Sequence, residues 1–201
     1  MKTHALALTV AAAAMVSLGA CSKQAGNKEP KTQTPQAEKA AGTKTIAAGL
    51  DQNGKFMAAA KAAGLDQTLA GPGPYTVFVP TDAAIGQAPD GTFATTPENR
   101  GKLTGIITNM ILPGTVLVAD IDKVIDANKG KAPLATMGGG TLTATKEGGK
   151  TVITDSAGHK ATIVNGDEQF SNGVVHEVDG VLMPSKPPAA NAPAVGQKAG
   201  K

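Results

Sequence analysis

Few residues in this chain have the chemistry for catalysis or metal binding, and their spacing argues against both. The only cysteine, Cys21, follows an uncharged run and precedes a polar stretch. A thiol there is poorly placed for burial as a small hydrophobe, and with no second cysteine no disulfide can form. His176 alternates with valines in Val174-Val175-His176-Glu177-Val178, a pattern that fits a buried strand imidazole bonded to backbone better than a general base. His159, in Ser156-Ala157-Gly158-His159, reads as a solvated turn residue. Ser156 and Ser171 stand in no glycine-flanked nucleophile pattern. Asp120, Asp122 and Asp126 lack both the spacing and the closing Glu of a calcium loop. Asp120 and Asp122 fit an acidic helix start, where the peptide dipoles favour them. Gly138-Gly139-Gly140 and Gly71-Pro72-Gly73-Pro74 lead into no helix with a Lys-Ser or Lys-Thr pair, so they are turns and not phosphate loops. No pair of His, Cys or carboxylates has a third ligand at metal-binding spacing. The expectation is a binding protein with no catalytic group, no metal and no cofactor.

The elements that position these residues change character along the chain. Asn53 is placed to cap a helix through Phe56, Met57 and Ala58-Ala59-Ala60, with Gly64 closing it. Tyr75-Thr76-Val77-Phe78-Val79 is a β-rich run stopped by Pro80, after which Thr81 caps a short segment. A second helix has Thr96 as cap and Pro97 at its first position. Leu103, Ile106, Ile107 and Met110 form one buried face of it, and Pro113-Gly114 ends the run. The pattern then has period two. Thr141 to Thr145 alternates, Gly148-Gly149 turns the chain, and Thr151 to Thr154 returns it. Ala161 to Val164 and Gly173 to Met183 supply further strands. Helices first and strands later indicate an α+β domain.

Both ends differ from this middle. Ala5 to Ala20 is uncharged and apolar, but sixteen residues make roughly 24 Å of helix, short of the ~30 Å bilayer core. That suits a cleaved export signal, residues 1–20. Leu18-Gly19-Ala20-Cys21 resembles the bacterial lipobox, which implies lipidation of Cys21, and Ser22 is compatible with sorting to an outer membrane. Residues 21–44 then form a flexible tether and 185–201 a Pro/Ala/Lys tail, leaving a domain at 45–184. Residues 46–184 hold ten basic and fourteen acidic side chains, a net charge of −4. The +3 of the whole chain therefore comes from the arms, the opposite of a nucleic-acid module. With one Tyr, four Phe and no Trp, the chain also lacks rings for stacking on single-stranded nucleic acid or extended polysaccharide.

Two long blocks carry a family resemblance. Gly73-Pro74-Tyr75-Thr76-Val77-Phe78-Val79-Pro80-Thr81-Asp82-Ala83-Ala84-Ile85 resembles the first signature of fasciclin (FAS1) domains. Asn172-Gly173-Val174-Val175-His176-Glu177-Val178-Asp179-Gly180-Val181-Leu182-Met183-Pro184 resembles their closing signature. The resemblance implies a single domain, a compact β-sandwich or wedge with helices packed at one end. It also implies structural roles for Tyr75, Thr76, Val77, Phe78, Pro80, Thr81, Asn172, Gly173, His176, Asp179 and Gly180. Asn109-Met110 stands where the family often has Tyr-His. Asp167-Glu168 stands where animal relatives that bind integrins have Asp-Ile, which argues against animal-type integrin recognition. The implied function is a cell-envelope lipoprotein, held to the membrane by its lipid and exposed at the outer membrane or cell surface. Its domain would contact a protein or polysaccharide in adhesion, surface attachment or biofilm. Asp167 and Glu168, in a polar loop just before the closing block, are the candidate partner-binding surface, because binding is usually placed on loops of a rigid scaffold; the alternative is that they only solvate a turn. The family also leaves open a carrier of a hydrophobic molecule, a carotenoid or lipid.

Overall fold

A computed structural model describes residues 42–184. The signal run, Cys21, the tether up to residue 41 and the 185–201 tail lie outside the described residues. The first part of the domain is helical: α1 (Ile46–Gly49), α2 (Lys55–Ala63) and α3 (Asp66–Ala70) precede β1 (Tyr75–Pro80) and α4 (Asp82–Gly86). Phe56, Met57, Ala59, Ala60 and Ala63 form the buried face of α2, and Gly64 closes it at φ 78°. Asn53 does not cap this helix. Gly54 occupies the cap position with no side chain to offer, and the Lys55 N–H donates instead to the Asp82 carboxylate, 2.9 Å away. A cap borrowed from across the fold leaves no local signature. Thr81 does cap α4, its hydroxyl accepting from the Ala84 N–H at 3.1 Å.

A 3₁₀ turn, Pro97–Asn99, leads into α5 (Arg100–Asn109). Leu103, Ile106 and Ile107 are buried along α5 and Met110 just beyond it. Two corrections arise here. Thr96 makes no side-chain cap bond, and the helix stops at Asn109 rather than at Pro113. Ile111–Pro113 is a strand, β2, antiparallel to β1. The edge of β1 outcompetes further helix because it supplies partners for these backbone groups: the Phe78 N–H donates to the Met110 carbonyl at 2.9 Å. After α6 (Val118–Ala127) come β3 (Ala132–Ala135), β4 (Thr141–Glu147), β5 (Lys150–Thr154), β6 (Lys160–Phe170) and β7 (Gly173–Val178). The β4–β5 hairpin turns at Gly148 and Gly149, both at positive φ (57° and 80°), as a two-residue turn of this hand requires.

The seven strands form one sheet in the order β2-β1-β7-β6-β5-β4-β3. The α+β class and the helix-flanked wedge are as the resemblance implies. β1 and β7, one from each signature block, run parallel at full register from Tyr75↔Gly173 to Pro80↔Val178. The long β6 pairs with β7 at one end and with β5 at the other, with irregularities around Asn165. The outer strands then meet: the Met137 N–H donates to the Ile111 carbonyl at 2.7 Å, so the sheet nearly closes on itself. Helix α2 packs on α5, and α6 lies over β3 and β4. The enclosed core is built of Ile, Leu, Val, Ala and Met around Phe78. Among the described residues no helix is long and apolar enough to cross a membrane.

Candidate functional site

Residues 165–169 are not the polar loop that their composition suggests. They belong to β6, where shifts in pairing at Asn165 and Glu168 bulge the strand away from β7. A bulge adds local twist and re-aims side chains. Asp167 takes φ 62°, rare for a residue with a Cβ, and the surrounding contacts hold it there. Its N–H donates to His176 Nδ1 at 3.1 Å, and its carboxylate accepts the Val118 N–H at 2.9 Å, at the start of α6. Asp167 and Glu168 are both exposed. They line different grooves: Asp167 one beside α6, Glu168 one beside α2.

His176 holds this bulge from behind. It is fully buried, with its ring 5.5 Å from that of Phe78. Nε2 lies 2.8 Å from the Val116 carbonyl, which can only accept, so Nε2 carries the proton and Nδ1 is free to accept from Asp167. Thr76 fixes the same loop, donating to the Gly114 carbonyl at 2.8 Å and accepting the Val116 N–H at 2.9 Å. Thr76, His176 and Asp167, far apart in sequence, thus converge on residues 114–118 and position α6.

Burial pushes the His176 imidazole below its ordinary value. The Val116 hydrogen bond and the Asp167 carboxylate, 3.9 Å from Nδ1, offset only part of that. A base depressed in the folded state binds fewer protons there than when unfolded, so stability is full above about pH 6.5 and declines as pH falls below it. Urea unfolding of the full chain from pH 8 to pH 5 is expected to show this decline, and His176→Gln to remove its share. A His176 ring resonance with a midpoint at or above 6.5 would refute the assignment.

The other motif residues make contacts within the fold. Asn172 is buried at the β6–β7 turn, whose two central residues are Ser171 and Asn172, with Gly173 already in β7. Gly173 lies tight against β1, where a Cβ on it would run into the Tyr75 carbonyl. Tyr75 begins β1, its N–H donating to the Asn172 carbonyl at 3.0 Å. Val77, Phe78 and Pro80 are buried. Asp179 accepts the Thr162 N–H at 2.6 Å, and Gly180 lies against the Lys160 carbonyl. His159 is not simply solvated. Its Nδ1 is 2.8 Å from Asp155, a buried carboxylate that also accepts the backbone N–H groups of Ala157, His159 and Met183. The Asp-Ser-Ala-Gly turn was the available signal for that pin. Asp122, expected to be solvated, ties α6 to the sheet through Lys146 and Thr151, each at 2.9 Å. Among the described residues no group of three His, Cys, Asp or Glu is placed to hold a metal ion.

Comparison with known proteins gives a consistent picture. The model of the fasciclin domain family matches residues 51–184. Protein sll1483 of Synechocystis is 35% identical over 141 residues, 69% of this chain and 71% of that one. Immunogenic protein MPB70 of Mycobacterium bovis is 30% identical over 112 residues, 56% of this chain and 51% of that one. Among solved structures, the FAS1 domain pair of the insect cell adhesion molecule fasciclin I superposes with a TM-score of 0.56. It is 19% identical, and the match spans 74% of this chain and 53% of the pair, a likeness of fold.

Proposed function

The chain belongs to the fasciclin domain family, and from that premise we propose that it is an exported lipoprotein whose domain serves as a binding module in surface attachment. The observation that carries this reading is the bulge at Asp167 and Glu168. Two exposed carboxylates, lining separate grooves, stand at adjacent positions of backbone that His176 and the start of α6 hold in place. Exposed side chains on a rigid scaffold are where recognition is usually built. Insect fasciclin I, which shares the fold, is a cell adhesion molecule. The residues brought together at the site are hydrogen-bonded to backbone and offer no nucleophile–base pair, so the reading is of a module and not an enzyme. Cys21, acylated by two chains or more, anchors the protein stably, since one chain alone gives only marginal residence.

The carrier reading has less support. Three grooves among the described residues, about 310–450 Å³, fall at the small end of the range for drug-sized ligands.

The test is a set of strains. Deletion of the gene is expected to weaken attachment to surfaces or between cells. Asp167→Ala with Glu168→Ala should reproduce part of that loss with the thermal midpoint unchanged, and Cys21→Ser should move the protein to the soluble fraction. Intact attachment after deletion, together with a pigment or lipid on the purified protein, would replace this reading with the carrier.

A further inference from the structure

His176, behind the bulge, has one open nitrogen, and the backbone of the bulge sits on it. Nε2 gives its proton to the Val116 carbonyl at 2.8 Å. A second proton can therefore enter only at Nδ1, where the Asp167 N–H now donates at 3.1 Å. A protonated Nδ1 is a donor and cannot accept that bond. The acceptor then within reach is Asp167 Oδ1, 3.9 Å away. That same oxygen accepts the Val118 N–H at 2.9 Å. It thereby satisfies one of the free donors at the start of α6, where Leu117 offers no side-chain cap. One proton thus removes the bond at the Asp167 N–H and competes for the bond at Val118.

Which side gives way follows from how each is held. The ring is buried beside Phe78, and Thr76 ties the loop that holds Nε2 through Gly114 and Val116. The bulge is exposed, and its pairing with β7 is interrupted at Asn165 and Glu168. Asp167 stands at φ 62°, a costly conformation for a residue with a Cβ, and it depends on its contacts to stay there. The charged group facing the ring is Asp167 on β6; β1 presents Phe78, and the 114–118 loop presents the Val116 carbonyl. On α6, Asp120 pairs with Lys123, and Asp122 is bonded to Lys146 and Thr151. Lys150 of β5 lines the same groove as Asp167, and Glu177, beside His176 on β7, lines the groove next to α2. We propose that the bulge is an acid-operated latch: a proton on His176 Nδ1 frees the Asp167 backbone, draws its carboxylate from Val118 to the ring, and loosens the Asp167–Glu168 surface and the start of α6 while the rest of the domain stays folded. The proposal rests on the reading of this surface as the binding site and adds its control, attachment near neutral pH and release in acid. Burial, which holds the imidazole below its ordinary value of 6.5, keeps the latch closed at neutral pH.

The experiment is an NMR titration of the purified full chain in mild detergent from pH 7.5 to pH 4.5, following the His176 ring and the backbone amides together. The Asp167 and Val118 amides are expected to shift with the midpoint of the ring, below pH 6.5, while the Ile46 and Phe78 amides hold their positions. His176→Gln can still donate to Val116 and accept from Asp167 but does not titrate, so both shifts should vanish. His159→Gln, at the Asp155 turn, should leave them in place. Asp167→Asn keeps the N–H and an acceptor for Val118 but loses the charge that favours a protonated ring, so the ring midpoint should fall further. The wild-type titration and this variant decide the matter even if His176→Gln folds poorly. A ring that stays neutral to pH 4.5 overturns the proposal. So do Asp167 and Val118 amides that stay put while the ring titrates, and so does movement of every amide together, which is global unfolding. Cells with the wild-type protein should attach at least fivefold less at pH 4.5 than at pH 7.5, and cells with His176→Gln less than twofold less. Equal losses would place the acid effect elsewhere and overturn control by the latch. If the amides shift as stated while gene deletion leaves attachment intact, the latch stands and the attachment reading falls. If they do not shift although the Asp167/Glu168 strain attaches poorly, the reverse holds.

Discussion

Phe78→Ala is expected to destabilise the domain by about 3–5 kcal/mol, the range for deleting a fully enclosed ring. Phe78 is 0% exposed at the middle of β1, with its ring against His176 and its backbone bonded to Met110, just before β2. Strands on both sides of β1 limit collapse into the space left behind, which places the cost in this range rather than below it. Phe78→Leu, retaining most of the volume, should cost markedly less. Urea unfolding of both variants gives the comparison directly. A loss under about 1 kcal/mol for Phe78→Ala would mean that the ring is not enclosed and that the first signature block is misplaced.

Asn172→Ala is expected to cost nearly as much, for a different reason. The Asn172 amide oxygen accepts the Ile46 N–H at 2.8 Å, and its nitrogen donates to the Leu69 and Gly71 carbonyls at 2.9 and 2.8 Å. One side chain thus joins the β6–β7 turn to α1 and to the end of α3. Removing it strands three backbone groups, each costing about 1–3 kcal/mol if water cannot reach it. The total should be about 3–4 kcal/mol, since the Gly71 end is partly open and water relieves it. Asn172→Asp separates the roles: it keeps the acceptor for Ile46 but sets a carboxylate against two carbonyls, and should be no better than alanine. Hydrogen exchange should show early loss of protection at Ile46. Unchanged protection there would refute the bridging role.

The sequence made the local features legible. Gly64, Thr81, the Gly148-Gly149 hairpin and the buried stripe of α5 each follow from a residue and its near neighbours. His176 was readable as buried because its alternation with valines is local. What was hidden was nonlocal. The cap of α2 comes from Asp82. β2 exists because β1 offers an edge to Ile111 and Leu112, residues whose periodicity alone continues a helix. β3 carries Pro133 and few large apolar residues, so nothing in Ala132–Ala135 marks a strand. Residues 165–169 are polar and contain Gly166, and only pairing with β7 makes them a strand. The site was half legible for the same reason: Asp167 and Glu168 were identifiable as a pair, but not the separate grooves they line or the grip of His176 and Val118 on the bulge.

The meeting of the two outer strands bears on how copies tolerate crowding. An open sheet offers two ladders of free backbone groups on which further chains can polymerise edge to edge. Here each outer strand is three or four residues long and contains a proline, Pro113 or Pro133, that has no N–H to give. The Met137–Ile111 bond closes the seam between them. Copies packed side by side are therefore expected to find little free ladder to extend, which favours a discrete particle over edge-to-edge polymers.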